Sequence, residues 1–552
     1  MDVVLALHAH IPYVLHHGRW PHGSTWLAEA AVDSYLPLAD ALCALRDERT
    51  AARFTVGFTP VLAAQLASPA LAGELEAFLG ERIAACDDAP VHMRSADRDA
   101  LLQVAGYWRA RWTHALERLR ALDGDLLAPF RALEADGRVE LMTSAATHAL
   151  LPLLARDESI HLQLDAGKRE HARHFGRRPA GCWLPECGYR PAGAWDPMPD
   201  VRRKADRAGL EDHVAAAGFR YFFVGAHVAR AGAPPDDYAV PHAFTEARAV
   251  RSPYRTYRVA TSPPLHDVHV LPRDPETAML VWSRHDGYPG NGNYLEYHKR
   301  HEWYGLRCWR VTDRTLSLDE KLPYNPAQAR CAAHRDALDF THRLAELAES
   351  HPAFARGVVT APFDAELFGH WWHEGVDFLA DVARSTGAAT ARGVRLTTAS
   401  EHLDRRGRRQ AIRLDAGSWG AGGDWRMWLN DATAFAWPRL WRIEDAFWTL
   451  APRARAIAAA RPALAQAARA MMLAQSSDWP FIITRGDARD YGMRRLLGHA
   501  DDAEKLLTAI SLAADDGEWG PPTRLAESLG RRDDLFPDVL DSVDVALAMA
   551  SA

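Results

Sequence analysis

GVVTAPFDAELFGHWWHEG, residues 357–375, opens on a short apolar run, Val358–Thr360, and turns at once to an acid set among aromatics: Asp364 with Phe363, Phe368, Trp371 and Trp372. An apolar run that short reads as a strand buried on both faces. Further runs of the same kind are Val3–Leu7, Phe54–Phe58, Val139–Met142, Cys182–Leu184, Tyr221–Val224 and Val268–Leu271. Each gives way to polar or aromatic residues and then to a helical pattern. Strands alternating with helices predict an α/β architecture with a parallel sheet, open or closed into a barrel. The unusual residues come just after the runs: His8 and His10, Thr59 and Pro60, His148, Glu186, Arg273 and Asp364. In such folds the carboxyl ends of the strands hold the active site.

Outward from these runs the organisation changes. A long stretch rich in Ala, Leu, Arg and Glu, roughly Leu71 to Asp136, interrupts the alternation and predicts a helical insertion. Beyond about Asp404 strand signals fade, and helices are expected over Ala432–Ala451, Ala454–Ser476 and Ala503–Ala513. The segment Arg230–Ser262 has loop composition. With 552 residues the chain suits a large catalytic domain with smaller units attached.

Composition narrows the function. Hydrophobic residues make up 48% and charged residues 25%, as in ordinary globular proteins. A net charge of −7, from 65 basic and 72 acidic side chains, gives no electrostatic reason to expect nucleic acid or an anionic membrane as partner. The N-terminus lacks the marks of a signal peptide, no apolar stretch is long enough to span a bilayer, and the six cysteines form no paired motif, so the cytoplasm is the expected compartment. Tryptophan is abundant, 19 against 14 tyrosines. Its broad apolar face and single polar edge suit stacking on sugar rings, although large cores also use it.

The segment GCWLPECGYR, residues 181–190, places Glu186 just past a strand, as Asp364 is placed elsewhere. Two carboxylates at strand ends, set among aromatics, suit glycosidic-bond chemistry, which needs one nucleophile and one acid kept protonated. The plain alternative is that either acid caps a helix. His8, His10, His148 and His370 with an acid offer a rival, a divalent-metal site as in deacetylases built on a related barrel. A neutral histidine bonded to a sugar hydroxyl or to a nucleophile needs no metal, and no catalytic ion is expected.

Six blocks occur in a fixed order: LHAHIPYV (7–14), GFTPVLAAQL (57–66), MTSAATHALLPLL (142–154), WLPECGYRPAG (183–193), VWSRHDGYPG (281–290) and APFDAELFGHWW (361–372). SWG (418–420) and SSDWPF (476–481) come after them. In this order they resemble glycoside hydrolase family 57, and its 1,4-α-glucan branching enzymes more closely than its amylases or 4-α-glucanotransferases. The resemblance implies a catalytic (β/α)7 barrel from residues 1–70 and 137–404, a helical insertion over 71–136, and an all-helical C-terminal domain, 405–552, that contributes to the glucan cleft. It implies Glu186 as nucleophile and Asp364 as general acid/base. His10, Trp20, Trp26, His148, Arg273, Trp282 and Gly290 correspond to positions lining that cleft, as do Trp419, Trp428 and Asp478 in the C-terminal domain. Trp26 and Trp428 could equally be core, Gly290 a turn glycine, and Asp478 a helix-terminal acid.

The resemblance further implies double displacement on an α-1,4-glucan that serves as donor and acceptor, without a cofactor. Capture by a glucan 6-hydroxyl makes an α-1,6 branch, whereas capture by water makes the enzyme a hydrolase. Tyr238, in AGAPPDDYAVPHAF (231–244), resembles the loop tyrosine of the family's branching enzymes and is the expected water shield. The alternatives are a hydrolase or 4-α-glucanotransferase of the same family, a metal-dependent deacetylase, and a non-catalytic glucan-binding protein.

Overall fold

The computed structural model describes the chain except for residues 20–21, 94–96, 200, 202–203, 236–248, 262–266, 303–304, 351–355, 391, 406, 408 and 551–552. Seven parallel strands form its centre: β1 (Asp2–Ala9), β2 (Phe54–Phe58), β3 (Val139–Ser144), β4 (Cys182–Trp183), β5 (Tyr221–Val224), β6 (Val268–Pro272) and β7 (Val358–Asp364). β7 pairs with β1, then β1 with β2, β2 with β3, β3 with β4, and β5 with β6, all parallel. Two seams complete the ring. A bridge between Gly181 and Tyr221 joins β4 to β5, and the Asp274 N–H donates to the Thr360 carbonyl, 2.8 Å, between β6 and β7. A Cβ at residue 181 would lie 2.2 Å from the Tyr221 ring, so glycine is what lets the strands meet there.

Side-chain alternation decides what points where. Val4 and Ala6 of β1, Trp183 of β4, Tyr221 and Phe223 of β5, Leu271 of β6 and Val358 of β7 pack together inside the ring. Val3, Leu5 and Leu7, and likewise Val359, Ala361 and Phe363, belong to the outer core beneath the helices. The inward parity continues to His8 on β1 and Asp364 on β7, which are register partners. It also continues to Arg273, the residue after β6. β7 runs on past the expected apolar run, so Asp364 is its last residue and not a loop residue beyond it.

The insertion holds two long helices, α1 (Pro69–His92) and α2 (Arg98–Ala121). After β3 comes α3 (Asp157–Phe175). The C-terminal region carries α4 (Trp437–Ala456), α5 (Arg461–Ala474), α6 (Asp478–Arg485) and α7 (Arg489–Asp516). α4 and α5 start later than the alanine-rich sequence predicts, because Pro438 and Pro462 occupy their first turns, where a missing N–H and a fixed φ favour initiation. The Ala503–Ala513 segment is part of the longer α7. Arg230–Ser262, expected to be loop, contains a short strand, Tyr257–Val259, which pairs antiparallel with β6.

This helical region is docked on the barrel by polar anchors as well as apolar area. The indole N–H of Trp441 donates to the Leu153 carbonyl (2.9 Å), that of Trp448 to Ser159 Oγ (2.8 Å), and the Glu444 carboxyl accepts from the backbone of Ala155 and Arg156. Barrel strands and C-terminal helices share one continuous apolar core. No helix among the described residues is long and apolar enough to cross a membrane.

Candidate active site

Glu186 sits in the turn after β4 with φ 60° and ψ 21°, a left-handed conformation that a residue with a Cβ adopts only when its surroundings enforce it. Those surroundings reach across from the C-terminal region. The Trp419 N–H donates to the Glu186 carbonyl (2.9 Å), the Trp419 indole N–H donates to Oε2 (2.9 Å), and the Ser477 hydroxyl donates to Oε1 (2.8 Å). Burial pushes the Glu186 carboxyl up, and these two hydrogen bonds together with the nearby His10 oppose it.

Asp364 is treated differently. Among the described residues no side chain donates a hydrogen bond to its carboxyl. Burial pushes it well above the usual carboxylate range, and the negative neighbours Glu366, Glu186 and Asp478 push it further, with Arg273 as the opposing charge. The guanidinium of Arg273 lies 5.4 Å from the Trp419 ring and 6.0 Å from that of Trp282. Burial raises both carboxyls, but hydrogen bonds favour the charged form of Glu186 while negative neighbours disfavour that of Asp364, an asymmetry of the kind that suits a nucleophile and an acid.

A histidine cluster lies beside the same carboxyls. His10 bonds Asp478 through Nε2 and Thr59 through Nδ1, each at 2.9 Å. Burial alone would discharge both partners of the His10–Asp478 pair. Their contact outweighs it, so Asp478 is held low and His10 high. His148 stacks on His10 with ring centroids 3.9 Å apart. Its Nδ1 meets Ser477 Oγ at 2.9 Å and its Nε2 meets His8 Nε2 at 3.0 Å. Ligand atoms of His10, His148 and Asp478 all lie within 4.8 Å of one another, yet each ring nitrogen of the two histidines already faces a protein partner. His370 belongs to a different network, with Asp33 and Ser34.

The structure therefore brings together Glu186, Asp364, His10, His148, Arg273, Trp419 and Asp478. Trp282 stands beside them, half-buried, 6.3 Å from Trp419 and 6.1 Å from the exposed Trp371. Trp26 is half-buried against the main core. Trp428 is wholly buried, its ring packed against Gly420, so it underlies the SWG turn and offers no face to a ligand in this conformation. Gly290 is buried where a Cβ would lie 2.1 Å from the Arg284 carbonyl, a packing position within its turn. Trp20 and Tyr238 lie outside the described residues.

Three neighbours are not evident from the sequence. Glu366 accepts from the His10 N–H (2.9 Å) and from the Tyr35 hydroxyl. Its spacing of two from Asp364 is the one signal it carries. Ser477 lies inside the SSDWPF block beside Asp478 but has no chemistry of its own that would mark it. Tyr35 gives no sequence signal, because a π-helical turn directs it inward.

A parallel barrel with an asymmetric carboxyl pair at its strand ends, walled by tryptophans, defines an enzyme of glycosidic-bond chemistry. The chain belongs to glycosyl hydrolase family 57, whose family model matches residues 4–415, and a second model, the C-terminal domain of 1,4-alpha-glucan branching enzymes, matches residues 439–543. It is 36% identical to a 1,4-alpha-glucan branching enzyme of Thermococcus kodakarensis over 98% of this chain and 78% of that protein. With a probable 1,4-alpha-glucan branching enzyme of Mycobacterium tuberculosis the identity is 31% over 96% of each. Crystal structures of branching enzymes from T. kodakaraensis and Pyrococcus horikoshii superpose with TM-scores of 0.89 and 0.88, at 35% and 34% identity, covering 98% of this chain and 95% and 96% of theirs. An α-amylase from Thermotoga maritima is more distant, with a TM-score of 0.78 and 26% identity over 97% of each chain.

Proposed function

We propose that the chain is a 1,4-α-glucan branching enzyme that cleaves an α-1,4 bond, holds the cut chain on Glu186, and passes it to the 6-hydroxyl of a second glucan chain. The asymmetry of the two carboxyls carries the mechanism. Asp364, kept protonated by burial and by negative neighbours, donates to the leaving oxygen while Glu186, bonded on both oxygens, attacks the anomeric carbon. Asp364 then takes the proton of the acceptor hydroxyl. Trp419 and Trp282, which meet edge-on with Arg273 near both rings, supply stacking area for sugar rings.

Branching is favoured over hydrolysis by the C-terminal region, which matches the branching-enzyme model and itself reaches the catalytic carboxyl. Tyr238 is the proposed water shield, on its sequence resemblance. A glycogen-like glucan as both donor and acceptor, and a cytoplasmic location, complete the reading. Incubation with amylose tests it. Proton NMR should show α-1,6 linkages well in excess of new reducing ends, and the excess should fall in Tyr238→Ala, since about 1.4 kcal/mol between competing barriers changes their ratio roughly tenfold. Reducing ends without new linkages would make the chain a hydrolase instead.

A further inference from the structure

We propose that His8, His148 and Ser477 form a one-way chain of hydrogen bonds that ends on Glu186 Oε1, making Ser477 a positioning residue for the nucleophile; this rests on the reading of Glu186 as that nucleophile. The links are His8 Nε2 to His148 Nε2, 3.0 Å; His148 Nδ1 to Ser477 Oγ, 2.9 Å; and Ser477 Oγ to Glu186 Oε1, 2.8 Å. The serine is held in register by the backbone. Its N–H donates to the His148 carbonyl (3.0 Å), and Ser476 forms a β-bridge with Ala149.

The direction is set by donor accounting. A carboxylate only accepts, so Ser477 donates its one proton to Glu186 and its oxygen accepts from His148 Nδ1–H. A neutral imidazole has one N–H, so His148 Nε2 must accept, and the donor is His8 Nε2–H. His8 is then left with a bare lone pair on Nδ1. That atom is buried and has no hydrogen-bond partner among the described residues, and the ring stacks on Trp183 at 4.4 Å and 3°. Running the chain the other way would need a protonated Glu186 and would strand a buried N–H on His8 Nδ1, and buried orphan donors are rarer than under-used acceptors. Burial, then the neighbouring histidines, pushes both His8 and His148 well below the usual range, the direction that favours the neutral rings the chain requires. The consequence is that the helical C-terminal region, through one serine, fixes Oε1 of Glu186, while Trp419 holds Oε2.

Proton positions decide the matter. Neutron diffraction, or nitrogen NMR on protein carrying labelled histidine, should find His148 as the neutral Nδ1–H tautomer and His8 as the neutral Nε2–H tautomer. An Nε2–H or doubly protonated His148 overturns the chain. In parallel, Ser477→Ala should lower kcat roughly ten- to hundredfold, the range for a hydrogen bond to a charged group. It should also move the acid limb of kcat/KM to higher pH, because the charged form of Glu186 loses a donor while His10, His148, Asp478 and Asp364 still face it. Ser477→Thr, which keeps the hydroxyl, should restore both. An acid limb unmoved in Ser477→Ala, or no rescue by Ser477→Thr, refutes the role. Should Ser477→Ala fail to fold, the wild-type tautomers and Ser477→Thr still decide it. Glu186→Gln separates the two readings: sustained turnover there would remove Glu186 as nucleophile and leave the tautomer assignment standing.

Discussion

Glu186 and Asp364 differ less in kind than in company. Hydrogen bonds from Trp419 and Ser477 favour the charged form of one, while Glu366, Glu186 and Asp478 crowd the other with negative charge. Asp364→Asn should therefore lower turnover on amylose by about 10²–10⁴-fold, the usual contribution of a positioned acid/base. The pH profile carries the sign. In the proposed role of acid, Asp364 must be protonated to donate, so activity is expected below its raised pKa and is lost as pH rises through it. Glu366→Gln removes a negative neighbour, lowers the proton affinity of Asp364, and should shift the basic limb of kcat/KM to lower pH. A basic limb that stays in place would mean that Glu366 serves only to hold Tyr35 and the His10 backbone. At the same scale, exhaustive chelation should leave activity intact, since the ring nitrogens of His10 and His148 are committed to protein partners. Loss restored by a divalent ion would contradict this.

At the scale of elements, the π-helical turn Ala31–Tyr35 matters most. The extra residue in such a turn re-aims consecutive side chains, and all five of its residues are buried. Asp33 pairs with Arg307 at 2.7 Å and meets His370 at 3.4 Å, Ser34 accepts from the His370 N–H, and Tyr35 donates to Glu366. Arg307→Ala would remove the main counter-charge of the buried Asp33, leaving His370 and Arg111, and thermal unfolding should report a loss of up to about 3–5 kcal/mol. A variant as stable as wild type would show that the pair is better solvated than its burial implies. None of this was legible in the sequence, because a π-turn has no period of its own. The strands were legible, since seven short apolar runs need only burial on both faces to be recognised. Helix starts were less so, as with α4, where alanine propensity extends further than Pro438 allows.

The whole molecule works as one unit because its site is split. The barrel supplies Glu186, Asp364, His8, His10 and His148, and the C-terminal region supplies Trp419, Ser477 and Asp478. Residue types and family resemblance brought most of these into view. Trp428 and Gly290 are packed within the protein, and tryptophan and glycine fill cores and turns as readily as they line sites, so residue type alone does not fix their roles. Ser477 shows the converse, a residue whose part depends wholly on what lies opposite it in space. The proposed double displacement requires a covalent intermediate at Glu186. A fluorinated maltosyl donor that slows the second displacement should label the protein once, and mass spectrometry of the digest should place the sugar on the peptide carrying Glu186, with no label in Glu186→Gln. Turnover with no covalent adduct, or an adduct on another residue, would contradict it.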